Sequence, residues 1–285
     1  MKNSNPIKIF NYNLIIISYY INIIICQLII INSFLTIYGL TANMNWQTQI
    51  ENLGYLKWPN LIRGTLIKRY KRFMADIKLR NGHVATAHCP NTGSMLECSE
   101  PGRTVYLSRH NNPKRRLKYT WEMIEMPTSL VGVNTLVPNK LVKTSILAEK
   151  IQKLSGFDRV RSEVKYGGNS RIDLLLEKGE SRCFVEIKNC TLVIDGVACF
   201  PDAVTSRGLK HLVELQQQVR LGDRSVMFFL VQRMDAKVFK PADHIDLAYG
   251  KELRKAVRNG VEVIVYDVFL DLKGIRLNRR LLYVI

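Results

Sequence analysis

Three residues carry the most chemistry in this sequence. Asp173 lies in the apolar run 171–177, and Glu186 and Lys188 lie in the next, 182–191. Lys178-Gly179-Glu180-Ser181 between them reads as a tight hairpin. A two-residue turn at Gly179-Glu180 sets Asp173 directly opposite Glu186, where cross-strand Cβ atoms stand ~4.5–5.5 Å apart. Lys188, two residues on, shares the face of Glu186. Like charges so placed repel, and a hard divalent cation such as Mg²⁺ is the natural compensation. The chemistry this suggests is metal-assisted phosphodiester hydrolysis. Lys188 would orient or deprotonate the attacking water, or stabilise the phosphate in the transition state. Glu163 in the preceding run could supply a third carboxylate. A plain strand pair with a solvent face, Arg171 and Lys188 neutralising the two acids, fits the same pattern.

Asp202 reads as the N-cap of a helix over 203–221. Helical spacing puts Arg207, Lys210, His211 and Glu214 on one side, opposite Leu212 and Leu215. That polar stripe could face a phosphate or the acids. Thr205 and Arg207, near the helix N-terminus, suit phosphate binding. His211 reads as a surface residue of the stripe rather than a ligand.

These residues need a sheet and a helix to hold them. A helical pattern over 139–153 precedes strand-like runs at 159–166, 171–177 and 182–191. The helix 203–221, a strand 225–231, a helix 245–258 and strands 261–270 and 275–284 follow. This order gives a mixed α/β sheet, antiparallel first and then joined by helical crossovers. Upstream, residues 44–126 read as five short strands with a hairpin signal at Asn81-Gly82. They suggest a small closed OB-type barrel, with an SH3-like barrel as the alternative. Residues 127–138 read as a linker.

The barrel is strongly basic, with a net charge of +8 over 44–125. Lys68, Arg69, Lys71 and Arg72 surround Tyr70 and Phe73, and Arg109, Lys114, Arg115, Arg116 and Lys118 precede Tyr119 and Trp121. Cations interleaved with rings suit nucleic acid, phosphates meeting charge and bases stacking on rings. Arg171, Thr205, Arg207 and Lys210 would extend the surface into the second domain.

The whole chain of 285 residues carries a formal +18. Its 47% hydrophobic and 23% charged fractions exclude a disordered chain, a collagen or a disulfide miniprotein. Such a charge attracts polyanions, nucleic acid first and anionic membrane second. Six cysteines without a C-x-x-C pair read as a reduced, cytoplasmic chain, and His88, Cys89 and Cys98 lack a second ligand pair for zinc.

Residues 1–43 differ, with 13 Ile, 7 Asn and only Lys2 and Lys8 as charges. The run 14–31 approaches the length of a membrane span, and a signal peptide is a further reading. The preferred reading takes this extension as translated A/T-rich non-coding sequence ahead of a true start at Met44. Membrane attachment is then not expected.

Several long motifs, in order, carry a family resemblance from Met44 onward. They are Leu61-Ile62-Arg63-Gly64, Lys68-Arg69-Tyr70-Lys71-Arg72-Phe73, and His88-Cys89-Pro90-Asn91-Thr92-Gly93-Ser94-Met95. Asn169-Ser170-Arg171-Ile172-Asp173, Val185-Glu186-Ile187-Lys188-Asn189, Phe200-Pro201-Asp202-Ala203-Val204-Thr205 and Arg207-Gly208 complete the set. The sequence resembles the sugar fermentation stimulation protein A family. The resemblance implies an OB-fold domain followed by a PD-(D/E)xK nuclease-like domain. It also implies DNA binding without strong sequence preference and a bacterial role in regulating sugar (maltose) metabolism. In the nuclease-like pattern, Asp173, Glu186 and Lys188 match the metal and catalytic positions, and Glu163 an additional acidic one. The expected partner is DNA, single- or double-stranded, with Mg²⁺ as the cofactor and a homodimer as a possible assembly.

Overall fold

The computed structural model describes residues 54–168 and 170–285. The extension at 1–43, its 14–31 run included, lies outside them. No helix among the described residues is long and apolar enough to cross a membrane.

Alternation of apolar and polar residues with period two builds the barrel. Strands β1 (Tyr55–Lys57), β2 (Leu61–Tyr70), β3 (Met74–Leu79), β4 (Val84–His88), β5 (Thr104–Arg109), β6 (Tyr119–Glu125) and β7 (Leu130–Gly132) come first. β2 to β6 pair in the order β4-β3-β2-β5-β6, and β4 closes onto β6 in parallel. This is OB connectivity, so the SH3-like alternative falls. The hairpin at Asn81-Gly82 forms, but through a three-residue loop rather than a two-residue turn: only Gly82 takes positive φ, +83°, and the Leu79 N–H donates to the His83 carbonyl at 2.8 Å. Leu66, Ile77, Leu107, Trp121 and Ile124 fill the interior.

The second domain contains helices α1 (Val137–Leu147), α2 (Ser206–Arg220) and α3 (Leu247–Arg258). Its strands are β8 (Arg159–Tyr166), β9 (Ser170–Lys178), β10 (Ser181–Cys190), β11 (Leu192–Ile194), β12 (Val197–Phe200), β13 (Arg224–Val231), β14 (Val238–Pro241), β15 (Glu262–Leu270), β16 (Gly274–Arg280) and β17 (Leu282–Tyr283). A seven-stranded sheet runs β1-β16-β15-β13-β10-β9-β8. β8, β9 and β10 are antiparallel, whereas β10, β13 and β15 are parallel through the crossovers α2 and α3. A small sheet, β11-β12-β14-β17, lies beside it.

Parity along β9 and β10 sorts the faces. Leu174, Leu176, Val185 and Ile187 pack with Leu141, Val142 and Ile146 of α1. Leu175 and Phe184 pack with Leu212 and Leu215 of α2. Glu186 and Lys188 have the parity of Phe184 and belong to the α2 face, whereas the alternation of β9 breaks at Asp173, Ile172 packing on the α2 face and Leu174 on the α1 face.

Three sequence expectations change. The stretch 127–138 is no free linker, because β7 pairs with β6 and the Gly132 N–H donates to the Gln232 carbonyl at 2.8 Å. A Cβ on Gly132 would stand 2.6 Å from Gln232 Oε1, so any larger residue there would have to displace that buried amide. The barrel starts at β2, since β1 joins the large sheet against β16. The first helix ends at Leu147 rather than 153, as Glu149 turns to φ +54°. The described residues all belong to one compact unit.

Candidate functional site

The β9–β10 ladder has the register that the Gly179-Glu180 turn implies, from Ser181 opposite Lys178 to Val185 opposite Leu174. The next pair would be Asp173 and Glu186, and there the ladder ends. β9 continues against β8 while β10 continues against β13. The two acids therefore flank a fork in the sheet rather than forming a ladder pair. Asp173 fills the gap, its Oδ2 accepting the Ile187 N–H at 2.7 Å. Its Oδ1 accepts from Asn139 Nδ2 on the first turn of α1 at 2.8 Å.

Glu186 is 2% exposed. Its Oε1 accepts from Lys188 Nζ at 2.6 Å and contacts His211 Nδ1 of α2. Arg207 Nε donates to His211 Nε2 at 3.4 Å. The Lys188 ammonium also stands 3.2 Å from His211 Nδ1, so the imidazole is held between two cations and the Glu186 carboxylate. Glu186 Oε2 is buried without a partner. His211 is thus a buried member of the site, 4% exposed, and not the surface residue its sequence suggested.

Burial pushes Asp173 up to about 6, and neighbouring Glu186 adds to this. The Ile187 N–H, the Lys188 ammonium and Asn139 oppose the rise. Burial also raises Glu186, but Lys188 and His211 outweigh it and hold its carboxyl below the ordinary value. One acid is matched by a cation of the chain and the other is not.

α2 delivers the polar stripe as expected, but it starts later. Ser206 is its first residue, and the Thr205 hydroxyl caps it by accepting the Gly208 N–H at 3.0 Å. Asp202 is not the cap, because its Oδ2 accepts the Met95 N–H at 2.9 Å. Glu163 does not join the acids. With φ +55° it drops out of the ladder at the position opposite Asp173, between Ser162–Leu174 and Val164–Ile172, without shifting the register, and it is exposed on the edge strand. Glu214 of α2, buried to 5% exposure, is the acid that faces inward, its Oε1 accepting from Ser170 Oγ at 2.8 Å. Sequence reasoning placed Glu214 on the right stripe but assigned it no role. Asn139, Ser170 and Tyr166 carried no local signal.

The expected DNA-binding residues divide. Lys71, Arg72, Phe73, Arg109, Arg116, Arg171, Arg207 and Lys210 are exposed. Lys68 is largely free, its Nζ 4.0 Å from Asp76 and 5.4 Å from the Tyr70 ring centre. Arg115 donates to Thr120 Oγ1 at 3.1 Å. Tyr70 donates its hydroxyl to Asp76 at 3.0 Å. Arg69 is committed elsewhere, its guanidinium donating to the carbonyls of Arg72, Asn91, Gly93 and Ser94 at 2.7–3.2 Å. It is a brace for the loop after β4. Thr205 is a cap, with its N–H on Asp246.

The β2–β3 turn and the β5–β6 loop leave the same end of the barrel, since Met74, His88, Thr120 and Ser108 are successive register partners. The loop after β4 leaves that end too and docks on Asp202, Ser94 Oγ donating to its carbonyl at 2.5 Å. The basic turns are thereby tied to the approach to α2. A separate cleft of about 870 Å³, lined by Arg63, Arg80, Tyr106, Tyr119 and Leu272 among others, contains none of the acids.

Among the described residues, no three or more His, Cys, Asp and Glu side chains stand close enough together to enclose a metal. Asp173 and Glu186 remain as two hard-oxygen donors, with an orphaned oxygen on Glu186. That set fits a cation that keeps most of its own water, as Mg²⁺ does.

Residues 67–133 match the SfsA N-terminal OB domain, and 136–274 match the sugar fermentation stimulation protein RE domain. A sugar fermentation stimulation protein homolog of Geobacter sulfurreducens is 54% identical over 221 residues, 78% of this chain and 95% of that protein. Its counterpart in Paramagnetospirillum magneticum is 52% identical over 218 residues, 76% of this chain and 92% of that protein. Among solved structures, Pyrococcus furiosus SfsA in complex with Ca²⁺ is similar with a TM-score of 0.75 at 25% identity, over 81% of this chain and 98% of that one.

Proposed function

Because this chain belongs to the sugar fermentation stimulation protein family, we propose that it is a DNA-binding protein whose mixed-sheet domain holds a divalent cation at Asp173 and Glu186. The observation that carries the reading is the fork, where buried Glu186, half-buried Asp173 and one ammonium meet beside a helix bearing exposed cations. Binding is largely indifferent to sequence, because the exposed Lys and Arg side chains address phosphates and carry no base code. A role in regulating sugar metabolism, maltose included, belongs to the same reading, and the name its relatives bear supports the link to sugar fermentation alone.

A second reading, Mg²⁺-dependent phosphodiester hydrolysis, is favoured by Lys188. Its ammonium, 2.6 Å from Glu186 and 14% exposed, is an immobilised charge at the place where a phosphate would gain negative charge. A bound divalent cation would supply charge neutralisation and a more acidic water. Asp173, bracketed by Asn139 and the Ile187 N–H, holds its carboxylate in one orientation. Arg207 and Lys210 on α2 orient the backbone of the nucleic acid. The Ca²⁺ named with the Pyrococcus furiosus relative supports a cation in this fold.

Both readings are tested with the purified full-length chain on single-stranded, duplex and branched DNA. Binding should weaken steeply with salt, since phosphate contacts release counterions. Salt-insensitive binding would overturn the first reading. Cleavage should require Mg²⁺ or Mn²⁺ and vanish in Asp173→Ala and Lys188→Ala. No cleavage of any substrate with either metal removes the second reading and leaves the first.

A further inference from the structure

The β2–β3 ladder pairs Gly64 with Leu79 and Thr65 with Lys78. Carried one residue further, the same register sets Arg63 opposite Arg80. Arg63, Thr65, Lys78 and Arg80 are exposed and alternate with buried Gly64, Leu66 and Ile77, so they share the outer face of the barrel. Burial first and Glu125 second raise the Tyr106 phenol, while Arg63 and Arg80 oppose the rise, which places both guanidiniums near that hydroxyl. Like charges opposite one another weaken a sheet. The chain does not answer them with an acid. Arg63 Nη2 donates to the neutral Thr104 Oγ1 at 3.2 Å.

These two arginines rim the cleft of about 870 Å³. Two smaller grooves share its walls. One, of about 350 Å³, adds Lys78 and meets the cleft at Arg63, Leu79 and Arg80. The other, of about 460 Å³, adds Arg116 and Lys118 and meets it at Leu79, Asn81 and Tyr119. No Asp or Glu lines any of the three. The nearest acids are engaged. Glu125 accepts the Tyr106 hydroxyl. Asp76 accepts the hydroxyls of Tyr70 and Thr86 and faces Lys68. Asp271 accepts the N–H groups of Lys273 and Gly274.

The floor says which anion fits. Leu61, Ile62 and Leu79 are half-buried, Leu272 and Val84 are 49% and 61% exposed, and the Tyr119 ring is half-buried. A free phosphate has no use for apolar surface, and a duplex keeps its base faces stacked on one another. A single strand offers phosphates to the cations and bare base faces to the floor. The central cleft falls within the ~300–1,000 Å³ that encloses a drug-sized ligand, which is the scale of a nucleotide.

We propose that these grooves form a second nucleic-acid site, which holds single-stranded DNA across the outer face of β2 and β3. The six residues of β3, at ~3.3 Å each, set it about 20 Å from the Lys71-Arg72 turn. The proposal rests on the reading of the chain as a DNA-binding protein and adds a site for the single-stranded form.

The test is fluorescence anisotropy of the full-length chain with a short oligo-dT and with a duplex of equal length, in EDTA over a salt series. Arg63→Ala combined with Arg80→Ala should weaken oligo-dT binding about tenfold and lower its salt slope by about 1.4, since each phosphate contact to a single strand is worth ~0.7. Duplex affinity should stay within about twofold. Equal losses on both forms, or an unchanged oligo-dT affinity, overturn the inference. Tyr119→Leu keeps apolar bulk and removes the ring. It should weaken oligo-dT binding about 5–100-fold, the worth of one stacked base, with the salt slope unchanged. If Tyr119→Leu fails to fold, the exposed arginine pair decides alone. An oligo-dT bearing a photoreactive base should crosslink within 61–63, 78–81 or at Tyr119, and crosslinks confined to 68–73 would also sink the proposal. A wild type that binds neither DNA form defeats the DNA-binding reading itself. A wild type that binds the duplex but not oligo-dT defeats the second site alone.

Discussion

Asp173→Asn should make the metal-free protein more stable at about pH 8. The Asp173 carboxyl is raised from 3.8 to about 6, by burial first and by Glu186 second. Each tenfold loss of acidity corresponds to ~1.36 kcal/mol, so ionising Asp173 in the folded chain costs about 3 kcal/mol. The sign follows from proton binding. A raised acid binds its proton more tightly when folded, so its contribution is full below the unfolded value and lost as pH rises through about 6. Glu186, lowered instead, begins to lose its contribution as pH falls below its ordinary value of 4.5, in wild type and variant alike, so the difference between the two proteins reports Asp173. Asparagine cannot ionise, and its carbonyl can still accept the Ile187 N–H once the Asn139 amide turns over. Allowing for imperfect rebonding, the gain is about 1–3 kcal/mol, at ~2–4 °C each for a domain of this size. Melts in EDTA at about pH 8 and pH 4 read it, and the advantage should disappear at the lower pH. Added Ca²⁺ should invert the order, since ligand at ~100 times its dissociation constant stabilises the wild type alone by ~2.7 kcal/mol. An Asp173→Asn protein that is less stable at both pH values by the same amount would refute the reasoning. Asp173 would then be only a bracket for the fork.

Lys188→Ala should abolish cleavage while DNA affinity and its salt dependence stay within twofold, measured by gel and by fluorescence anisotropy. Arg69→Ala should lower stability by about 2–4 kcal/mol, because four carbonyls lose their donor, and leave the salt dependence of DNA binding unchanged. Arg116→Ala should do the opposite, reducing the slope of log affinity against log salt by about 1 with little change in melting. Gln232→Ala should cost about 2–4 kcal/mol in a melt that remains one transition, since it strips donors from Asn134 and Asn189 at once.

The sheet was legible because period two is a local property. The strand at 159–166 and the start of β2 at Leu61 were read to the residue, and the Gly179-Glu180 turn fixed the register as far as Leu174 and Val185. The fork was not legible. Which strand β10 pairs with beyond Val185 depends on β13, some forty residues later, and nothing in the hairpin encodes it. The same holds for Glu163. Its position opposite Asp173 matched a third acid, but a left-handed backbone at φ +55° takes Glu163 out of the ladder and leaves it exposed, and no local pattern announces that conformation. Arg69 misled for a related reason. A cation beside aromatic residues looks the same in sequence whether its guanidinium meets solvent or four carbonyls of a folded-back loop.

The linker failed more instructively, since 127–138 had the composition of a free connection. In the fold it is the middle of a buried polar chain. Ser108 Oγ donates to Glu122 at 2.6 Å, and Asn134 Nδ2 donates to the same carboxylate at 2.7 Å. Gln232 Nε2 bridges the Asn134 carbonyl and Asn189 Oδ1, one residue beyond Lys188. Asn134 Oδ1 also accepts the Leu136 N–H at the start of α1, whose Asn139 brackets Asp173. Buried polar groups tolerate little sliding, because each displaced donor leaves an acceptor bare in a low-dielectric setting. A seam made of such groups fixes the barrel against the sheet far more strictly than an apolar seam would. The basic turns at the barrel's end therefore stand at a set offset from Asp173 and Glu186. The polynucleotide is positioned by the whole seam, and residues that touch neither DNA nor cation share in setting which phosphate arrives at the fork.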